Sequence, residues 1–284
     1  MQAAERMDAA NDEAEPVLPA SGATPIQPDE THMSEDFESM AQQLRAAGYI
    51  TYKPAANPTQ LKNQQLYGCE PVFSNILLDY RRSPLIEKSA RRILDRKLVP
   101  LNSKVNWRVL EQAYRSVIPF EGEVWEAGVY QGVTALVLAN CIRDYGPPDT
   151  TLRLFDTYEG MPDVDRERDL HSKGDFANTS LARVQEMVGD GLNVFFHQGV
   201  IPSTFAGLES SRVKLVHIDL DLYQPILDTL EFCYPRMERG IFVFDDYGTP
   251  TCPGALEAVD RFFGGRREVV FTSLTGQAMA VKFA

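Results

Sequence analysis

The 284-residue sequence has no long hydrophobic run, few cysteines and no basic stripe. A membrane-spanning helix needs about 20 consecutive apolar residues, and no stretch approaches that length, so no membrane partner is expected. Residues 1–30 lack the basic and apolar regions of a secretory signal. The four cysteines lie far apart without a CxxC pair, which argues against a disulfide framework or a structural zinc site and favours a cytoplasmic protein.

The charge distribution argues against a nucleic-acid-binding protein. The net charge is −12, and most of it lies in residues 1–40, which contain ten acidic residues and a single basic residue, Arg6. The rest of the chain is close to neutral, whereas nucleic-acid affinity depends on neutralising phosphates. Residues 1–40 are rich in Ala, Pro, Glu, Asp and Ser without a hydrophobic period and are predicted to be a disordered acidic tail. We interpret this tail as a solvating extension, with a binding role as the alternative.

Residues 41–120 are predicted to form a helical and irregular lid segment. From Pro84, apolar residues recur at three- and four-residue steps, and this pattern predicts a helix. A second helix is predicted from about Asn106, because apolar and small residues fall on one face: Trp107, Leu110, Ala113, Tyr114 and Val117. The alternative to a lid is that both helices simply pack against the following domain.

Residues 121–284 alternate short apolar strands with helices, which is typical of a parallel sheet covered on both faces. The predicted strands are Val124–Ala127, Leu152–Phe155, Asn193–His197, Lys214–Asp219 and Gly240–Asp245. The predicted helices between them cover residues 133–144, 178–188, 224–236 and 254–263. The last two strands, Glu268–Thr272 and Gln277–Phe283, are predicted to form a hairpin that closes the sheet edge.

Glycines and an acid follow the first two predicted strands, at the edge where open α/β sheets bind ligands. The first strand leads through Gly128 and Gly132 into a helix, whose N-terminus can hold an anionic group. This spacing is not the GxGxxG of dinucleotide-binding proteins, and no Walker lysine follows it. Asp156 ends the second strand and is well placed to accept hydrogen bonds from ribose hydroxyls, with a plain loop aspartate as the alternative.

Four carboxylates follow two later strands of the predicted sheet. Asp219 and Asp221 are two residues apart, so on an extended chain both would point to one face. Asp245 and Asp246 end the next strand along the chain. Paired acids repel one another unless a cation or a base role compensates, and oxygen ligands alone favour Mg²⁺ or Ca²⁺ over zinc. Solvated acids at strand ends are the alternative, and His217 is interpreted as a packed strand residue.

Four ordered segments resemble the macrocin O-methyltransferase family, whose members methylate sugar hydroxyls on macrolide and aminocoumarin natural products. These segments are Val124–Gly132, Phe155–Pro162, Ile218–Tyr223 and Phe244–Tyr247. The resemblance covers roughly residues 84–284. It implies a doubly wound, mostly parallel, seven-stranded class I methyltransferase sheet of Rossmann-like type, with a C-terminal antiparallel hairpin and an N-terminal helical lid.

The resemblance also implies S-adenosylmethionine (SAM) as cofactor, Mg²⁺ as a required ion and a small-molecule hydroxyl acceptor, glycosylated by analogy with the family. The residues that would border SAM are Glu126, Gly128, Tyr130, Thr134, Asp156, Gly199, Val200 and Ile201. The implied Mg²⁺ ligands are Asp219, Asp245 and Asp246. Asp221 would be the general base that deprotonates the acceptor hydroxyl held by the metal. Because relatives commonly self-associate, a homo-oligomer is a further expectation, although no periodicity identifies an interface.

Two other functions fit parts of the same pattern. In a metal-dependent nucleotide-sugar glycosyltransferase, Asp219 and Asp221 would form a DxD motif that holds a metal–diphosphate. In a non-catalytic binding protein on the same fold, the four carboxylates would have no reason to stay clustered. The charged segment 158–173 is interpreted either as a loop over the acceptor or as an ordinary surface loop.

Overall fold

A computed structural model describes residues 83–98, 100–273 and 275–283. The acidic tail predicted for residues 1–40, and the lid segment as far as residue 82, lie outside these residues. Within them, seven strands and six α-helices occur in the order that the sequence predicts.

The seven strands form one sheet in the order β3-β2-β1-β4-β5-β7-β6. The first five are parallel, and β7 pairs antiparallel with both β5 and β6. This arrangement confirms the doubly wound fold and the antiparallel hairpin at the C-terminal end. The strands are β1 (Glu123–Ala127), β2 (Thr151–Asp156), β3 (Asn193–Gln198), β4 (Val213–Ile218), β5 (Gly240–Phe244), β6 (Val270–Thr272) and β7 (Ala278–Lys282).

The helices begin where the sequence supplies caps. Ser83 and Ser103 accept hydrogen bonds from first-turn N–H groups of the first two helices, and Ser180 caps the fourth in the same way. Proline occupies the first turn of the first and last helices. The helices are α1 (Pro84–Asp95), α2 (Lys104–Val117), α3 (Val133–Tyr145), α4 (Leu181–Val188), α5 (Tyr223–Cys233) and α6 (Pro253–Phe263).

Alternating strand residues separate two buried apolar layers, one on each face of the sheet. Helices α1 to α4 pack on one face with residues such as Val124 and Leu215. Helices α5 and α6 pack on the other with residues such as Trp125 and Phe242. Helices α1 and α2 share the first of these buried layers with α3, and a role for them as a lid stays a prediction. None of the described helices has the length and apolar character that crossing a bilayer requires.

The strand order reverses between β1 and β4, because β2 and β3 lie on one side of β1 and β5 lies beyond β4. In doubly wound sheets the crevice beyond the carboxyl ends of such strands is the usual place for a ligand. The candidate residues of the sequence lie at this edge.

Candidate functional site

Residues 128–132, here called the Gly-rich loop, connect β1 to α3 through three left-handed residues. Gly128, Tyr130 and Gly132 have φ of +86°, +49° and +80°. Gly128 needs to lack a side chain, because a Cβ at this position would lie 1.7 Å from the main-chain oxygen of Asp219. Its N–H donates to the Phe155 oxygen at 2.9 Å. The loop is therefore held against the ends of both β2 and β4.

The N-terminus of α3 opens beside the loop. Gly132 is its N-cap residue and contributes no side-chain cap, so the first-turn N–H groups can receive a ligand carboxylate. Thr134 lies in this turn and is buried. The structure thus places Gly128, Tyr130 and Thr134 around one short connection.

Glu126 lies below the loop and is fully buried. Its Oε1 is 2.9 Å from His217 Nδ1, while Oε2 has no hydrogen-bond partner among the described residues. His217 is buried in β4, as its interpretation as a packed strand residue expects. The sequence did not reveal that it pairs with Glu126 on the neighbouring strand.

Asp156 organises the Gly-rich loop as well as ending β2. Its Oδ2 accepts hydrogen bonds from the main-chain N–H groups of Val129 and Tyr130, at 2.7 and 2.9 Å. Its Oδ1 accepts one from the Tyr158 N–H at 2.6 Å. A carboxylate held by three main-chain donors is fixed in position. The role predicted for Asp156 toward ribose hydroxyls would use its remaining acceptor capacity.

The predicted adenine-side residues follow β3 at the same edge. The Gly199 N–H donates to the main-chain oxygen of Asp156 at 2.9 Å, and Gly199 has a φ of +145°. Val200 is exposed, whereas Ile201 is buried against the aromatic layer that includes Phe155. A side chain at Val200 is therefore free to face a ligand, and Ile201 anchors the turn.

Asp219, Asp221, Asp245 and Asp246, here called the acid cluster, converge beyond β4 and β5. Burial raises the pKa of Asp219 well above its ordinary value, and the charges of Asp245, Asp246 and Asp221 raise it further. The pKa of Asp246 is raised in the same way, by burial first and then by Asp221 and Asp245. Asp246 Oδ2 is buried without a hydrogen-bond partner in the described part of the chain. Ionised together, these groups repel one another, and a bound cation would remove that cost.

Asp245 is the best supported member of the acid cluster. Its Oδ1 accepts hydrogen bonds from Gln277 Nε2 at 2.6 Å and Asn106 Nδ2 at 3.4 Å, and it lies 3.7 Å from His217 Nε2. Burial alone would raise the pKa of Asp245, but His217, Gln277 and Asn106 lower it. Burial lowers the pKa of His217, yet Asp245 and Glu126 overcome that effect and raise it to about 9.

The expectation that the chain is extended from Asp219 to Asp221, with both side chains on one face, was wrong. Strand β4 ends at Ile218, and Asp221 has a left-handed φ of +60°. The chain therefore turns between the two acids. Asp219 faces His217 and Asp245, whereas Asp221 faces His171 and Cys252.

Sequence reasoning also missed residues that reach the site from distant parts of the chain. Helix α2 brings Asn106, the end of the hairpin brings Gln277, the segment after β2 brings His171, and the start of α6 brings Cys252. No local pattern distinguishes these residues, because each acquires its neighbour only when the sheet and its connections are assembled.

The segment that carries His171 is anchored on α5 and α6. Asp169 is buried and its Oδ1 accepts a hydrogen bond from the Tyr223 N–H at 3.0 Å, so it caps α5 from outside. Arg168 lies over the Tyr223 ring at 4.2 Å and pairs with Glu257 of α6. At the other end of the segment, the Tyr130 hydroxyl donates to Asn178 Oδ1 at 2.6 Å. These contacts hold the segment against the edge that carries the Gly-rich loop and the acid cluster.

We expect Gly254→Ala to release this segment. Alanine normally stabilises a helix relative to glycine, but a Cβ at Gly254 would lie 2.0 Å from Asp169 Oδ1 and 2.9 Å from the Tyr223 nitrogen. The variant should lose the external cap of α5, about 1–2 kcal/mol of unfolding free energy, and become sensitive to proteolysis near His171. Denaturant unfolding and limited proteolysis measure both effects.

Asp169→Ala provides the matched control, because it removes the same cap without the clash. If the clash acts through Asp169, combining the two changes should cost much less than the sum of the single changes. Additive losses of stability would contradict this account of Gly254.

Comparisons with known proteins identify relatives over most of the described chain. A model of the macrocin-O-methyltransferase (TylF) family matches residues 105–268. The mycinamicin III 3''-O-methyltransferase of Micromonospora griseorubida is 30% identical over 175 residues, 57% of this chain and 68% of that protein. The 8-demethyl-8-(2,3-dimethoxy-alpha-L-rhamnosyl)-tetracenomycin-C 4'-O-methyltransferase of Streptomyces olivaceus is 30% identical over 149 residues, 48% of this chain and 56% of that protein.

A solved structure shares the fold. The O-methyltransferase NovP superposes with a TM-score of 0.57 at 23% identity, covering 63% of this chain and 79% of NovP. The chain thus spans between about half and two thirds of the length of the two sequence relatives. It covers a larger share of the NovP chain.

Proposed function

Because the chain belongs to the macrocin-O-methyltransferase family, and thereby to the SAM-dependent O-methyltransferases, we propose that it methylates a sugar hydroxyl of a glycosylated natural product with the aid of Mg²⁺. The observation that carries this proposal is the meeting of the Gly-rich loop and the acid cluster at the strand-order reversal. There, a Cβ on Gly128 would collide with the main chain of Asp219. A methyl donor held by the loop would lie beside an acceptor held at the acids.

The residues around the Gly-rich loop suit the parts of SAM. The open N-terminus of α3 near Thr134 offers N–H groups to the methionine carboxylate. Glu126 Oε2, which has no hydrogen-bond partner among the described residues, would accept a hydrogen bond from the methionine ammonium. Asp156 and the residues from Gly199 to Ile201 would border the ribose and the adenine.

The acid cluster suits a hard divalent cation. Asp219, Asp245 and Asp246 offer oxygen ligands alone, which Mg²⁺ prefers. The unpartnered and buried Asp246 Oδ2 is the observation that fits an ion, because a buried carboxylate oxygen without a donor is costly. Mg²⁺ bound there would supply positive charge that stabilises the acceptor oxygen as it loses its proton.

Asp221 is the residue that would accept the acceptor's proton. Burial raises its pKa, an effect that the Cys252 thiol, donating at 3.1 Å to Oδ1, and His171 partly offset. A raised pKa makes a carboxylate a stronger base, which suits a general base. Asp221 contacts Cys252 and His171, whereas Asp219 groups with His217 and Asp245, so Asp221 would face the acceptor while the other acids hold the ion.

The acceptor class comes from the names of the relatives. One is named as a 3''-O-methyltransferase of mycinamicin III, and the other as a 4'-O-methyltransferase of a compound that carries a rhamnosyl group. A sugar hydroxyl is a weak acid, so a base and a cation at the same site match the needs of such an acceptor.

The test is a titration of SAM into the purified protein at excess Mg²⁺, followed by methyl transfer assays on glycosylated natural products with a free sugar hydroxyl. We expect saturable one-site binding, and loss of most of the turnover when EDTA removes the metal. Folded protein that binds no SAM would overturn the proposal, and binding of UDP with Mn²⁺ would favour the glycosyltransferase. Full turnover in EDTA would overturn the metal requirement alone.

A further inference from the structure

A second group of metal-ligating side chains lies beside the acid cluster and offers different donor atoms. Cys252 Sγ is 3.1 Å from Asp221 Oδ1 and 3.6 Å from His171 Nε2. His171 Nε2 is 3.8 Å from Asp221 Oδ1. One thiol, one imidazole nitrogen and one carboxylate oxygen therefore surround a single point.

These three distances are close to those between the ligand atoms of a tetrahedrally coordinated ion. Zinc binds sulfur at about 2.3 Å and histidine nitrogen or carboxylate oxygen at about 2.0 Å, so two ligands of one ion lie about 3.3–3.6 Å apart. The observed distances differ from that range by only a few tenths of an ångström. Small side-chain movements would therefore complete the site, and three protein ligands leave a fourth position for water or another small ligand.

The donor set separates this site from the acid cluster. Thiolate and imidazole ligands favour Zn²⁺, whereas carboxylates alone favour Mg²⁺. Cys252, His171 and Asp221 would thus bind Zn²⁺, whereas Asp219, Asp245 and Asp246 would bind Mg²⁺. Asp221 is a member of the acid cluster by position but a ligand only of the zinc ion.

His171 is held in the orientation that a ligand requires. Its Nδ1 lies 3.2 Å from Asp175 Oδ2, which also accepts a hydrogen bond from the Ser172 N–H at 2.8 Å. Asp175 Oδ2 is thus placed to accept the Nδ1 proton in the tautomer that carries it. Nε2 then turns its lone pair toward Cys252 and Asp221. A carboxylate behind the histidine is the usual outer partner of a zinc ligand.

The site can be reached from solvent. The Cys252 thiol is buried, with a residue exposure of 2%, but the side chains of His171 and Asp221 are 17% and 18% exposed. An ion would meet the imidazole and the carboxylate first and the thiol last.

We propose that Cys252, His171 and Asp221 bind Zn²⁺, with release of the thiol proton to solvent, and that the bound ion inhibits methyl transfer by occupying the Asp221 oxygen. The inhibition rests on the proposed function, in which Asp221 is the general base. The binding of the ion does not, because it depends only on the three side chains.

Cobalt titration tests the binding step without SAM or acceptor. Co²⁺ replaces Zn²⁺ in such sites, and a bound thiolate gives an intense near-ultraviolet charge-transfer band that oxygen ligands do not give. Excess Mg²⁺ is present to occupy Asp219, Asp245 and Asp246. Under these conditions we expect the charge-transfer band to saturate at one equivalent of Co²⁺ and to disappear on addition of Zn²⁺. Folded protein without the band would overturn the proposal.

Variants assign the band to its ligands. Cys252→Ser should abolish it, His171→Gln should weaken cobalt binding strongly, and Asp175→Asn should weaken binding by about 10–100-fold through loss of the outer partner. Cys69→Ser is the control thiol variant, in which the band should persist. A band that survives Cys252→Ser would overturn the assignment, and His171→Gln keeps the test valid if Cys252→Ser fails to fold.

Measurements of zinc inhibition then test the zinc site and the proposed methyltransferase function independently of each other. For each protein, turnover at saturating Mg²⁺ is compared with and without Zn²⁺, and we expect Cys252→Ser to need at least tenfold more zinc for half-inhibition. A thiolate band in a protein whose turnover is insensitive to zinc would support the site but overturn its inhibitory role. A protein that shows the band but neither binds SAM nor transfers methyl groups would support the site and overturn the proposed function.

Discussion

Asp221→Asn is expected to lower the rate of methyl transfer by about 10²–10⁴-fold, the usual contribution of a general base. The amide cannot accept the hydroxyl proton, yet it has nearly the same shape as the carboxylate. Its oxygen can still accept the Cys252 hydrogen bond that Asp221 Oδ1 accepts now. SAM affinity should change little, because Asp221 contacts Cys252 and His171 and is not one of the residues proposed to border SAM. Single-turnover methyl transfer and SAM titration on the same protein measure the two properties.

Asp246→Asn is the matched control for this experiment. It removes one charge from the acid cluster just as Asp221→Asn does, but an amide oxygen can still ligate Mg²⁺, so the loss of turnover should be milder and excess Mg²⁺ should restore part of it. Equal losses in the two variants would indicate that net charge matters rather than proton transfer. Unchanged turnover in Asp221→Asn would remove Asp221 from the mechanism.

Gly128→Ala is expected to destabilise the fold by roughly 3–5 kcal/mol and to abolish SAM binding. The added methyl group would overlap main-chain atoms of Asp219, which cannot move aside as the end of a flexible side chain can. Overpacking of this kind and a left-handed φ for an L-residue both carry a cost. To relieve the overlap, the ends of β1 and β4 would have to separate, which would displace the Gly-rich loop and Asp219 together.

Gly191→Ala isolates the contribution of the backbone conformation. Gly191 has a φ of +83°, close to the +86° of Gly128, but a Cβ there meets no described atom within 4 Å. We expect this control to lose only about 1 kcal/mol and to bind SAM normally. Thermal unfolding and SAM titration of both variants separate the cost of the left-handed backbone conformation from the cost of the steric overlap at Gly128. Equal losses of stability and SAM affinity in the two variants would show that the main chain around Gly128 and Asp219 can move to accommodate a Cβ.

The fold was predictable because each strand is a short apolar run that leads into glycine or acid. The errors lie at the strand ends. Asp219 and Asp245 were assigned to strands, but the last pairs of the parallel ladders are Ala127 with Ile218 and Ile218 with Phe244. A carboxylate placed just after an apolar run looks like the end of a strand, and only the pairing of neighbouring strands shows where the ladder stops.

The same limit explains which site residues the sequence revealed. The four acids could be found because they lie in pairs next to recognisable strands. His171 and Asn106 could not, since His171 meets Cys252 across 81 residues and Asn106 meets Asp245 across 139. Their proximity depends on the anchoring of the segment after β2 and on the packing of α2 against the sheet.

The hydrogen bond from Gln277 Nε2 to Asp245 Oδ1 connects the C-terminal hairpin to the acid cluster. In the antiparallel register Phe244 pairs with Ala278, so Gln277 stands opposite Asp245 and its buried amide supports that carboxylate. Closing the hairpin and ordering the acid cluster are therefore linked equilibria, so hairpin closure would change the affinity for a ligand at the acids by the same factor by which that ligand changes the closure equilibrium. The stability of the C-terminal strands would then influence the affinity of any ligand that the acid cluster binds.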